Sequence, residues 1–203
     1  MAIFIILAIL LIDQVLKIWV KTHFYLGESY AITSWFQIAF IQNNGMAFGW
    51  EIGSKLMLTL LRIVTVGFLI YYLSKIYRKP QAKTGYLVCL SMIIAGAAGN
   101  IIDCMFYGLI FNDPMAPGLA QLFPPEGGYG TFLHGRVVDM LYFPLVSWTW
   151  PSWVPFVGGE YFLFFSPIFN FADAAISVGL IWLIIFYSSQ ISEVPFREKS
   201  TKA

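Results

Sequence analysis

The chain is short of charge. Of its 203 residues, 11% are Asp, Glu, Lys or Arg, against roughly 25% in soluble domains. So few charges cannot clothe a water-facing surface, which excludes an ordinary soluble globule and a disordered chain alike. An excess of positive charge is also missing. The net charge is +1, so no nucleic-acid partner is expected. Cysteine is scarce: Cys89 and Cys104 are too few for a disulfide framework or a cysteine-based zinc site. His23 and His134 lie far apart in sequence, so no metal centre is expected. What fills the composition instead is apolar: 59% hydrophobic and 18% aromatic residues, with a mean hydropathy of +0.73.

That apolar material gathers into four runs long enough to cross a bilayer, which takes about 20 residues each. They cover about 2–20, 56–73, 86–107 and 168–187. The first does not read as a cleaved signal peptide, because it lacks a basic start and carries Asp13 and Lys17 in its second half. Basic residues set the orientation. Lys75, Arg78, Lys79 and Lys83 lie between runs two and three, and Arg197, Lys199 and Lys202 follow run four. The first connection holds Lys21 and Lys55, and the long third one only Arg136. Both termini are therefore expected in the cytoplasm, with segments 21–55 and 108–167 outside. No internal repeat or linker divides the chain, so residues 1–203 read as one domain.

The outer segments are unlike ordinary loops. Residues 30–50 are rich in aromatic and β-branched side chains around an Asn43-Asn44-Gly45 turn signal, which predicts short strands at the membrane surface. Trp148, Trp150 and Trp153 suit an interfacial position, where a ring is half wet.

Aspartate occurs five times, at 13, 103, 113, 139 and 173. With the topology above, Asp103, Asp139 and Asp173 fall at one depth near the outer face. A charged side chain inside a span costs about 2.5–3.5 kcal/mol on insertion scales, so each is a functional candidate. Asp13 and Lys17 stand four apart and can neutralise each other on one helix face. Asp103 reads as a supporting group, and Asp113, before Pro114, as a turn residue. Arg62, inside run two, has a carboxylate or the interface as its options. Asp139 and Asp173 remain. Two carboxyls about 4 Å apart repel by about 4 kcal/mol at an effective dielectric near 20. That is worth roughly three pK units, enough to keep one protonated while the other is charged. Such a pair can activate water and protonate a leaving amine, the chemistry of aspartic peptide hydrolysis.

Five strings, in chain order, resemble the prolipoprotein (lipoprotein) signal peptidases, the signal peptidase II family of bacterial membranes. Asp13-Gln14-Val15-Leu16-Lys17 is similar to the family's D-Q-x-x-K. Asn43-Asn44-Gly45-Met46-Ala47-Phe48-Gly49 is similar to its N-x-G-x-A-F segment. Gly96 to Asp103 matches G-x-x-G-N-x-x-D, Val137-Val138-Asp139 matches V-V-D, and Phe169 to Asp173 matches F-N-x-A-D. The resemblance implies four transmembrane helices with an extracytoplasmic β-cradle and a short interfacial amphipathic helix, in the all-α membrane class. It implies Asp139 and Asp173 as the catalytic dyad. Asn43, Asn100, Asp103 and Asn170 would be a polar supporting or substrate-binding shell, with Asp13 and Lys17 further off. It implies no metal or cofactor, a lipidated prolipoprotein substrate, contact with membrane lipid, inhibition by globomycin-type peptides, and a multi-pass place in the bacterial inner membrane. Two departures stand out. Cys104 occupies a position where the family usually has Arg, which leaves Asp103 or a neighbouring group without its expected cation; Arg136 and Arg62 are the candidate replacements. The outer segment 104–165 is also longer than in compact members of the family.

Two other classes compete with the hydrolase reading. A small transporter or channel would use the same acidic residues. It would need polar groups across the full thickness, whereas these gather on one side, and no repeat or discontinuous-helix pair is evident. A non-enzymatic assembly factor would tolerate loss of both Asp139 and Asp173. Serine or cysteine peptidase chemistry is disfavoured, because neither histidine falls within a span beside Ser91, Ser177, Cys89 or Cys104.

Overall fold

In the computed structural model of the chain, residues 1–43, 55–113 and 118–196 are described. Among these residues, four helices are long and apolar enough to cross a membrane. The first is α1 (Ala2–His23), the second α2 (Lys55–Ile76) and the third α3 (Thr84–Ile102). α3 runs on through a π-helical turn, Asp103–Tyr107, into the short α4 (Gly108–Ile110). The last is α5 (Phe171–Phe196), kinked at Tyr187. Large apolar side chains such as Ile3, Phe4, Leu7 and Leu11 on α1 point outward. That is the inverse of a soluble bundle and suits a lipid surround.

α3 is the central helix, most of it covered by α1, α2 and α5. Tyr86, Leu87, Leu90, Ile94 and Ile101 form its core with Val66, Leu73, Ile76 and Leu183. Contact between α3 and α5 depends on Gly96. A Cβ there would collide with the Ala172 carbonyl oxygen and come within 2.7 Å of Ile176 Cγ1. Small residues that let backbones touch are how helices associate where lipid removes the hydrophobic drive. Gly96→Ala should therefore push α3 and α5 apart at a cost of about 1–3 kcal/mol. Thermal unfolding in detergent checks this; an unchanged midpoint would show that the two helices can part freely.

All the strands lie at one end of the bundle, between α1 and α2 or between α4 and α5. They are β1 (Ser29–Thr33), β2 (Phe36–Asn43), β3 (Val137–Tyr142), β4 (Val146–Thr149), β5 (Tyr161–Phe164) and β6 (Ile168–Phe169). An antiparallel sheet runs β1-β2-β3-β6, and β4-β5 form a separate hairpin. The sheet seats on the bundle through a second core of Val20, Phe24, Phe40, Tyr107, Phe111, Val138 and Met140. The π turn feeds that junction. Its looser winding leaves carbonyls for other partners: Cys104 O accepts from Gly135 N at 2.8 Å and Met105 O from Leu133 N at 3.3 Å.

Two expectations need correction. The chain is not all-α, since the cap is a true sheet. The last helix begins at Phe171, because 168–169 pair with β3 as a strand. A separate interfacial helix is not found among the described residues, and the Asn44–Trp50 part of the cradle segment lies outside them. The basic tail Arg197, Lys199 and Lys202, used above for orientation, also lies outside them.

Candidate active site

Where α5 begins, local chemistry fixes the geometry. Asn170 precedes its first turn, and Asn170 Oδ1 accepts from Asp173 N at 2.8 Å. Asp173 Oδ2 accepts in return from Asn170 N at 3.4 Å. This is a reciprocal capping box with Asp in place of the usual Glu or Gln. It holds the Asp173 carboxyl at the positive end of the helix. It also leaves the Asn170 amide nitrogen free to donate elsewhere.

That nitrogen donates to Asp139 Oδ1 at 2.7 Å and to Asn100 Oδ1 at 3.1 Å. Asn100, on α3, donates its own amide nitrogen to Asp173 Oδ1 at 2.8 Å. Asp139 and Asp173 therefore hang from one pair of asparagines. Asp139 arrives from β3, whose register sets it opposite Ile41 on β2. Side chains alternate along a strand, so Asn43, opposite Val137, shares the face of Asp139 and hydrogen-bonds to it. Asp139, Asn100 and Asn170 are buried, while Asp173 is partly open. Burial foremost, then the charge of Asp173, pushes the Asp139 carboxyl up to about 7, against the hydrogen bonds of Asn170 and Asn43 and the charge of Lys17.

Behind this pair lies a charged layer with no exposure. Lys17 Nζ sits 2.9 Å from Asp13 Oδ2 and 2.8 Å from Asp103 Oδ2. It also donates to Asn100 Oδ1 at 2.8 Å. Lys17 is thus one hydrogen bond from the residue that holds Asp173, and not a remote group as expected. Asp13 Oδ1 accepts from Ala172 N at 2.9 Å, tying α1 to the first turn of α5. Asp103 Oδ2 accepts from Val138 N at 3.3 Å, tying the π-helical turn after α3 to β3 beside Asp139. Gln14, which stood out only as a letter in the first motif, closes the layer. Its amide nitrogen donates to Asp13, Gly99 O and Asp103 at 2.9–3.2 Å, and its oxygen accepts from the Tyr107 hydroxyl at 3.1 Å. The pattern Asp-Gln-x-x-Lys on one helix was the available signal for it.

The cation of Asp103 is Lys17, and neither Arg136 nor Arg62 replaces it. Arg136 pairs with Asp113 at 2.8 Å at the surface, so Asp113 is an ion-pair residue as well as a turn neighbour. Arg62 reaches from α2 to Cys104 Sγ at 3.7 Å. Deeper in the bundle, the Ser91 hydroxyl is satisfied by its own helix at Leu87 O. The polar network described here stays at the sheet end.

A family model described as signal peptidase (SPase) II matches residues 5–189. The chain belongs to the signal peptidase II family. Lipoprotein signal peptidase of Porphyromonas gingivalis is 57% identical over 187 residues, covering 92% of this chain and 82% of the relative. The enzyme of the same name from Amoebophilus asiaticus is 34% identical over 197 residues, covering 94% and 79%. In fold, the chain is similar to a bacterial membrane enzyme solved by the in meso method at 2.3 Å, with a TM-score of 0.61 and 24% identity over 99% of this chain and 94% of that one. This signal peptidase II homologue is accordingly a multi-pass membrane protein of a protease family.

Proposed function

We propose that the protein is an aspartic endopeptidase that removes signal peptides from diacylglyceryl-modified prolipoproteins, cutting just before the lipidated cysteine. The observation that carries this reading is the suspension of Asp139 and Asp173 from the Asn100–Asn170 pair, with one carboxyl buried and the other partly open. Relatives named lipoprotein signal peptidase support the substrate class. The distribution of Lys and Arg supports cytoplasmic termini, with the sheet and the two carboxyls at the outer face.

In the reaction, Asp139 serves as the acid and Asp173 as the base. Asp173 takes a proton from a water lying between the carboxyls. The water oxygen attacks the scissile carbonyl carbon, and Asp139 gives its proton to the carbonyl oxygen. The tetrahedral diol then collapses. The C–N bond breaks, the proton on Asp173 passes to the leaving nitrogen, and a diol hydroxyl returns a proton to Asp139. Asn170 and Asn43 keep the Asp139 carboxyl oriented, and Asn100 does so for Asp173. Incubating the membrane enzyme with a lipidated precursor and sequencing the products by mass spectrometry tests the assignment. The expected new N-terminus is the diacylglyceryl cysteine; intact precursor, or a cut elsewhere, would overturn it.

A pH dependence follows from the shared proton. Cleavage should fall as pH rises through about 7, as Asp139 loses its proton. Stability should move the same way. The folded chain binds this proton more tightly than the unfolded one, whose carboxyl titrates near 3.8. Stabilisation from Asp139 is therefore complete below that value and is lost as pH rises to about 7. Rate–pH profiles and unfolding midpoints over this window check both, and a rate that climbs steadily above neutrality would contradict the proton assignment.

A further inference from the structure

The β4–β5 hairpin has no part in the chemistry above, yet it is built for a partner. Strand register puts Val146 opposite Phe164 and Trp148 opposite Phe162, so these four side chains share one face. They are 55%, 51%, 37% and 39% exposed. Ser147, Thr149, Tyr161 and Leu163 make up the other face. At the turn between the strands, Trp153 is 79% exposed and Phe156 fully so. Phe156 and Phe165 also hold positive φ angles of 69° and 62°, a conformation strained for a large side chain that must be repaid elsewhere. Neither strand joins the cap sheet, and a lone two-stranded hairpin is marginal in water.

We propose that this hairpin lies in the outer leaflet of the membrane, apolar face and tip down, as a monotopic anchor beside α5. Two observations choose the bilayer over a protein. The hairpin returns through β6 directly into α5, so its base stands where a membrane-crossing helix enters lipid. Between residues 143 and 170 the sole charged side chain is Glu160. A surface without Lys or Arg gains nothing from anionic headgroups, whereas Trp, Tyr and Phe are the residues that settle at the headgroup–acyl boundary. The anchor therefore binds the neutral interfacial zone, and its attachment is indifferent to salt and to lipid charge.

The test uses the full chain in phosphatidylcholine nanodiscs, with and without phosphatidylglycerol. Cys89 and Cys104 are buried, so a thiol dye goes selectively to Trp153→Cys or Phe156→Cys, with Glu126→Cys as a water-facing reference. Expected is quenching at 153 and 156 by a lipid carrying a nitroxide near its headgroup, with shielding from aqueous iodide, alike in both lipid mixtures. Iodide quenching equal to the reference site overturns the proposal. So does shielding from both quenchers, which would mean a protein covers the hairpin. Hydrogen exchange on the unlabelled chain decides independently if a cysteine variant fails to fold. The amides of 146–149 and 161–164 should exchange at least about fivefold faster in a Trp153→Ser, Phe156→Ser variant, with α3 unchanged. Equal exchange in both chains overturns the anchor.

Discussion

Asp139→Asn is expected to lower cleavage of a lipidated precursor by at least about a thousandfold, since a positioned acid–base group contributes about 10²–10⁴ and this one acts in both halves of the reaction. The variant should fold. An amide at 139 still offers its oxygen to Asn170 Nδ2, whose bond to Asp139 is 2.7 Å, and it is as neutral as the protonated carboxyl it replaces. Asp173→Asn should be as damaging to rate. It keeps an acceptor for Asn100 but loses the carboxylate that takes a proton from water in the proposed reaction. Asp113→Asn is the contrast. It breaks a half-exposed pair with Arg136, worth about 0–1 kcal/mol, and cleavage should stay near normal. Gel-shift assays on matched amounts of folded protein provide the measurement. Should Asp139→Asn or Asp173→Asn keep cleavage within about tenfold of the parent, that residue has no place in the proton traffic.

What could be read along the chain was whatever is local or periodic. Run length marks the four apolar segments, and long helices lie over them, the last beginning at Phe171. There, Ile168 and Phe169 are apolar enough to extend a helix but are taken by pairing with Leu141 and Tyr142. The Asp13–Lys17 pair followed from helical spacing and is present at 2.9 Å. Distance along the chain hid the rest. Lys17 and Asp103 are 86 positions apart, so nothing local could show that α1 delivers the cation that faces Asp103. The structure brings Asn43, Asn100, Asp103 and Asn170 together with Asp13 and Lys17 around Asp139 and Asp173, in two layers joined by the Lys17–Asn100 bond. One further signal is local. Asn170-x-x-Asp173 is a capping box, and it explains physically why an asparagine three residues before the aspartate suits that turn.

Lys17→Met should cost about 3–5 kcal/mol of stability, the range for breaking a buried ion pair by removing one partner. Methionine fills a similar volume, so the loss comes from charge. Asp13 and Asp103 would be left facing each other with no exposure and no cation between them. Their remaining donors are backbone N–H groups of Ala172 and Val138 and the amide of Gln14. These cannot neutralise two carboxylates, so the layer must take up protons or open. Neutralising one carboxylate as well, in Lys17→Met with Asp103→Asn, should recover part of the stability, because a single buried charge is easier to satisfy than two. Cleavage should not recover in step. Asn100 Oδ1 has still lost its Lys17 donor, and the amide that holds Asp173 is then free to rotate. Unfolding midpoints and cleavage rates on the single and double variants separate these effects. Unchanged midpoints in Lys17→Met would mean that the three charges do not hold the helices together. Full cleavage in the stabilised double variant would mean that Lys17 serves stability alone.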